Sequence, residues 1–346
     1  MNILLDDISF KDSLFPFGEV RSIAHIRIGI LTIFEKWQFY FPGKVFIASE
    51  KLINDFDEES CIRFPANFLP SLDFLKELFG RNEKISFTPD CKILEHPWQI
   101  FEYNDWAIKE DFKMMCEGKI SQEIPSSNHF VAAENIFVEE GAQVSFSILN
   151  AENGPIYIGK NAKIEEGCLL RGPVAIGKES RVKMGTKIYG ATTLGPNCLA
   201  GGEIKNSILM GFSNKAHDGY LGDSVIGEWC NLGAGTSNSN LKNNASTVKI
   251  WSRKENDFIA AGKKCGLLMG DYSRCAINTS FNTGTVVGVC CSIFGNPFPQ
   301  KFIESFTWGN EKYIFEKAIT DIDNWKNLKG CVISELETES LKRIYQ

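Results

Sequence analysis

Residues 211–236 carry the side chains best suited to chemistry. His217, one of only four histidines, stands between Lys215 and Tyr220 with Asp218 and Gly219 beside it. Histidine is the side chain best matched to take up a proton near neutral pH, since the free imidazole titrates at about 6.5. Gly219 gives the chain freedom to turn there. Downstream, Gly233-Ala234-Gly235 could turn a backbone amide towards an oxygen that gains charge. Upstream, Lys187 and Lys205 are spaced so that, in a coil of three six-residue faces, they fall on one face one coil apart. Stacked strands lie about 4.8 Å apart, so two such ammonium groups repel unless an anion sits between them. The plainer alternative is that this polar stretch merely carries solvated His, Asp and Asn side chains, and that Lys187 is a surface lysine.

What must hold these residues is a solenoid. Ile158, Ile164, Leu170, Ile176, Val182, Ile188 and Leu194 recur every sixth residue, with Ala200 next. A helix would repeat at three and four, and an ordinary strand at two. A strict six fits a coil with flat faces, one aliphatic side chain per face pointing inward and tight corners where glycine follows (Gly159, Gly177, Gly195). The register breaks after Ala200 and returns at Leu221, Ile226 and Leu232, then at Met269, Cys275, Phe281 and Val287. Residues 211–220 fall in the gap and read as a loop thrown out from the coil, a place where rigid scaffolds hold functional groups. The Asn and Thr residues of 278–285 read equally as ladders inside the coil or as ligand contacts.

Around that coil, residues 2–7 and 44–48 read as strands, and 28–41, 71–78 and 97–117 as helices. The expectation is a small α/β domain over 1–120, a linker over 121–135, the solenoid over 136–296 and a helical segment over 297–346, with Pro297 and Pro299 ending the coil. Arg21 and Arg27 read as ion-paired in the fold rather than as phosphate ligands, and His25, His96 and His129 as structural. The formal charge of −6 argues against nucleic-acid binding. The eleven cysteines contain no CxxC, which fits reduced thiols, no zinc site and a cytoplasmic setting. Neither a signal peptide nor a membrane span is visible.

From Lys215 to Thr236 the chain resembles the C-terminal half of the bifunctional bacterial enzyme family that acetylates glucosamine-1-phosphate and then uridylylates it. The shared elements are a histidine followed by Tyr220-Leu-Gly-Asp and later Asn231-Leu-Gly-Ala-Gly-Thr. Residues 21–37, 97–101 and 281–288 are similar to a divergent group of this family described as sugar nucleotidyltransferases. The resemblance implies a left-handed parallel β-helix behind a reduced, Rossmann-like nucleotidyltransferase-type domain. It also implies homotrimers that bind acetyl-CoA between neighbouring coils, with outer positions near Trp229 and Trp251 as candidate contacts.

By the same resemblance His217 is the catalytic base, and Lys205, Tyr220, Asn231 and Asn240 contact the sugar phosphate. Ala234 makes a backbone contact to the coenzyme. Lys187 stands where the family has arginine, a swap that keeps charge but loses the bidentate fork, and Lys249 aligns with a further lysine. The implied activity is N-acetylation of an amino-sugar phosphate. A second is sugar-1-phosphate uridylyl transfer from UTP with Mg2+ in residues 1–120; there Asp6 and Asp7 stand in place of the family's glycine-rich loop, and residues 66–70 in place of its metal-binding motif. A third reading is a non-catalytic trimeric scaffold.

Overall fold

The computed structural model describes residues 1–50, 61–80, 90–295 and 298–346; Pro297 lies outside them. A three-stranded parallel sheet opens the chain, with β1 (Asn2–Asp6) between β2 (Val45–Ile47) and β3 (Cys61–Pro65). Ile3, Leu4 and Leu5 are all fully buried, as a strand covered on both faces requires. Helix α1 (Ile33–Tyr40) starts later than the apolar run from Ile28 suggests. Thr32 and Glu35 close a capping box there, and Gly29 turns the preceding segment at φ +78°. A Cβ at Gly29 would come within 2.8 Å of the Ala107 carbonyl, so the turn lies flat on α4 (Asn104–Cys116). Trp37 centres the domain's aromatic core, 4.7 Å from Phe64 and 6.1 Å from Phe68 between ring centroids.

Beyond it the chain winds a β-helix of three faces. The first face stacks strands such as Ile156–Ile158, Val174–Ile176 and Thr192–Leu194; the second Lys163–Ile164, Arg181–Val182 and Leu199–Ala200; the third Leu169–Arg171, Lys187–Tyr189 and Glu203–Lys205. Successive coils pair in parallel, Ile158 with Ile176 and Ile176 with Leu194. Each sixth residue enters one continuous apolar column, so the hexad reading holds.

The structure corrects the reading of 211–220. Asn214–Lys215 is an ordinary second-face strand, paired to Leu199–Ala200. Leu199 meets Asn214 only fifteen residues on, so this coil is three residues short rather than extended. The true excursion follows Asn238: Val225 pairs with Leu268, and the extra length between them carries a hairpin of Lys249–Ser252 and Asp257–Ala260.

Parallel pairing also reaches past the 136–296 span at both ends. His129–Val131 pairs with Ile148–Asn150, and Phe302–Ile303 with Val286–Val287. Pro299 lies in the connection between coils, where no ladder donor is needed. Residues 121–128 lie across the open end of the first coil, Gln122 donating its amide to Val138 (2.8 Å) and Asn128 its side chain to Val144 (2.9 Å).

The α/β domain sits on the first face, Ile30 and Ile108 packing on Phe137, Tyr157 and Ala175. Helices α5 (Phe315–Asn327) and α6 (Glu335–Tyr345) cover the corner between first and second faces, burying Trp229, Tyr272 and Phe306 against Ile322 and Leu341. Trp229 stacks on Phe212 at 4.2 Å, and Trp251 on Phe302 at 4.7 Å. Trp229 is therefore buried inside the chain and is not the outer contact suggested for it, whereas Trp251 stays partly exposed. Among the described residues no helix is long and apolar enough to cross a membrane.

Candidate functional site

The corner between the second and third faces carries His217. Its side chain is exposed, while Lys215, two residues earlier, is buried and Tyr220 half-buried. The corner one coil below is Gly201-Gly202, and the size of these residues is decisive. A Cβ on Gly201 would approach the Ala216 carbonyl carbon to 2.6 Å, and one on Gly202 the His217 oxygen to 2.9 Å. The next corner is Ala234-Gly235, tied by a Gly235 N–H to Asp218 O bond of 3.1 Å. His217 and Ala234 are thus neighbours on adjacent coils, as the resemblance implies for a base and a coenzyme contact. Asn231 lies on the second face beside Asn214, whose amide nitrogen is 3.4 Å from its oxygen.

The third face presents Lys187, Tyr189, Glu203, Lys205, Tyr220 and Asn240. Tyr220 lies against Gly222, and its hydroxyl accepts a bond from Asn240 Nδ2 at 3.2 Å, which leaves its own proton to donate. Burial, with Asp223 adding to it, pushes Tyr220 up to about 12, so it is a neutral donor near pH 7. Asn240 also donates to Asp223, which accepts from Asn206 at 2.6 Å.

The two lysines are not side by side. The coil that separates them is shortened, so Lys187 pairs with Glu203 and Tyr189 with Lys205. They sit diagonally, with Glu203 and Tyr189 between them. Tyr189 donates to Glu203 at 2.6 Å, a bond that pushes the phenol up to about 12. Lys205 lies over the Tyr189 ring at 5.6 Å, and its partner on the next coil is Gly222, against which Tyr220 packs. Lys249 belongs to the hairpin, whose Val248 and Ile250 join the core of the α/β domain. Its carbonyl accepts Lys301 Nζ at 3.0 Å, at the edge of the third face opposite His217. One chain therefore groups His217, Ala234, Asn231, Tyr220, Asn240 and Lys205, and leaves Lys187 diagonal and Lys249 apart.

The α/β domain shows different chemistry at the carboxyl ends of its strands, where open parallel sheets usually bind ligands. Asp7 is fully buried and accepts from Ser49 N (3.1 Å) and Ser49 Oγ (2.5 Å). A carboxylate there repels a phosphate where an amide cradle would attract one. Arg21 is ion-paired to Glu228 (2.9 Å) and Asp271 (2.5 Å), and Arg27 to Glu35 (3.3 Å), in line with the reading of both as structural. His25, read as structural, lies 3.0 Å from Glu50. A cleft of about 1390 Å³ opens between these strand ends, the last coil and α6, lined by Ser49, Glu50, Arg253 and Arg343 among others.

Comparison with known proteins bears on both halves of the chain. Residues 2–68 match a family model described as sugar nucleotidyl transferase. The chain is 35% identical over 117 residues to the bifunctional protein GlmU of Methanocaldococcus jannaschii, covering 33% of this chain and 28% of that protein. It is 30% identical over 201 residues to a bifunctional sugar-1-phosphate nucleotidylyltransferase/acetyltransferase of Sulfurisphaera tokodaii, covering 57% of this chain and 43% of that protein. The resemblance read from the sequence is borne out. In both cases the match spans less than half the length of the relative.

The sequence reading passed over Lys215. Its aliphatic stem takes an inward position of the coil, and a lone lysine in a polar segment gives no signal of that.

Proposed function

We propose that the chain is an acetyl-CoA-dependent N-acetyltransferase acting on an amino-sugar phosphate such as glucosamine-1-phosphate, as a cytoplasmic homotrimer. The observation that carries this reading is the corner where exposed His217 adjoins Ala234 on one side and the Tyr220–Asn240–Lys205 face on the other. The acceptor amine attacks the thioester carbonyl, a C–N bond forms, and the C–S bond breaks to release the coenzyme thiol. His217 takes the proton that the amine must lose and returns it to the departing sulfur. The amides of Gly233 and Gly235 are spent on Cys275 and Asp218, so the Ala234 amide between them is the donor assigned to the carbonyl oxygen as it gains charge. Lys205 and the Tyr220 hydroxyl hold the sugar phosphate, and Asn231 and Asn240 the sugar.

What the chain leaves bare supports the trimer. The α/β domain and C-terminal helices cover two sides, whereas the third face and its corner expose Phe146 (67%), Leu169 (44%) and Met184 (68%). A second copy on that surface would bury these residues and give the His217 ridge its missing wall.

A uridylyltransferase working in residues 1–120 is favoured by the family match over 2–68. The Asp7 carboxylate, held by Ser49 where phosphate-cradling amides would lie, does not suit the triphosphate of UTP. The test is a panel of amino-sugar phosphates with acetyl-CoA, scored by free thiol, with pyrophosphate release from UTP followed in parallel. Thiol release dependent on one amino-sugar phosphate supports the proposal. Pyrophosphate alone would transfer the activity to the first domain, and binding of neither substrate would leave the scaffold reading.

A further inference from the structure

A lysine points into the solenoid. Lys215 occupies the inward position of its strand, in register with Ala200 of the coil below, and is 2% exposed. Its neighbours in that column, such as Val182 and Leu232, are aliphatic. A buried amine is costly unless hydrogen-bonded, and Lys215 Nζ makes two bonds, both to backbone carbonyls: Gly201 O at 3.0 Å and His217 O at 2.6 Å. The first carbonyl belongs to the glycine corner under His217, and the second belongs to His217 itself.

We propose that Lys215 is a positioning residue for His217, locking the corner so that the imidazole is held over the third face. The inference rests on the acetyltransferase reading for its kinetic consequence only. Three features converge on it. The coil is shortened here, Leu199 meeting Asn214, so the chain reaches the corner early and Ala200 leaves space beneath it for a long stem. Gly201 and Gly202 admit the upper corner so closely that side chains there would clash with it. The exposed His217 ring has no hydrogen-bonding partner among the described residues that could orient it, so its direction depends on the backbone that Lys215 grips. Burial pushes the Lys215 ammonium down to about 8, with Asp218 and Cys275 the charged or titratable groups facing it. A folded value below the unfolded one means that this lysine opposes folding at neutral pH, and that the opposition fades only as pH rises from about 8 towards the unfolded value, about 10.4. A residue retained against stability in this way is better explained by the site than by the coil.

The test is Lys215→Met, which keeps the stem and removes the donor. A misplaced base costs up to about a hundredfold, so kcat should fall about ten- to a hundredfold, with KM for acetyl-CoA and for the amino-sugar phosphate each unchanged within about twofold. The trimer should persist and the melting temperature at pH 7 should hold or rise. The His217 ring proton, assigned by its loss in His217→Ala among four histidines, should shift or broaden in the NMR spectrum. Unchanged kcat with an unchanged His217 resonance overturns the proposal. So does unfolding of both Lys215→Met and Lys215→Leu, because the lysine would then serve the coil itself. If the wild type transfers no acetyl group, the functional reading fails and the resonance alone decides: movement supports the positioning role, and no movement refutes it.

Discussion

Replacing Arg21 by methionine tests how the α/β domain is fastened to the coil. Arg21 reaches across 250 residues to Asp271, whose side chain is only 2% exposed, and bonds Glu228 as well. Removing one member of a buried pair leaves an uncompensated charge and typically costs about 3–5 kcal/mol. Glu228 is a third exposed and can turn to water, so the cost falls on Asp271. Burial already raises the Asp271 carboxyl above its ordinary value, against the pull of Arg21, and loss of Arg21 raises it further. A carboxyl whose folded value lies above its unfolded value contributes stability that is complete below the unfolded value, about 3.9. That contribution is lost as pH rises through the folded value. The Arg21→Met deficit should therefore be greatest at pH 7 and shrink towards pH 4. Urea unfolding at pH 7 and pH 5 measures both, with Arg21→Met/Asp271→Asn as the control. Asparagine carries no charge and can still accept the Glu228 amide that Asp271 now accepts at 2.7 Å, so the double variant should recover most of the loss. A single variant within about 1 kcal/mol of wild type at pH 7, or a deficit that ignores pH, would refute the reasoning.

Two further outcomes follow from the third face. Lys205→Ala should raise KM for the amino-sugar phosphate about tenfold or more, the loss of a charge-assisted contact, and leave that for acetyl-CoA nearly unchanged; Lys187→Ala, displaced beyond Glu203, should do less, and equal effects on both substrates would remove the lysines from the phosphate site. Leu169→Glu combined with Met184→Glu should convert the trimer to monomer by light scattering and abolish turnover without loss of fold, whereas an intact trimer would place the interface elsewhere.

The coil was legible because its inward residues from Ile158 to Leu194 are aliphatic at every sixth position. It became illegible where the inward residue is Lys215. With a lysine in the column and a coil three residues short, the segment 211–220 has the composition of a loop while pairing as a strand. Glycines mark corners in sequence but do not say which corner is crowded; the need for Gly201 and Gly202 appears only when His217 is seen above them. The reach of the coil to Phe302 was masked by Pro299, which sits in a connection and breaks no ladder. Trp229 is an apolar outer residue by pattern, and only the packing of Phe212 and the C-terminal helices against it tells that the chain covers its own surface there. The grouping of His217, Tyr220, Asn231 and Ala234 came from the resemblance, whose motif spacing the coil preserves. Lys187 and Lys205 do share the third face, but the side-by-side placement assumed a regular coil, and the shorter one sets them diagonally.

The most direct measurement is acetyl transfer by His217→Ala against wild type, with thiol release followed at saturating acetyl-CoA and amino-sugar phosphate. Removal of a general base costs about 10²- to 10⁴-fold. The account predicts a fall in turnover of at least about a hundredfold, with trimeric assembly and binding of both substrates retained. Acetylation by that variant at close to the wild-type rate would contradict the mechanism built on this corner.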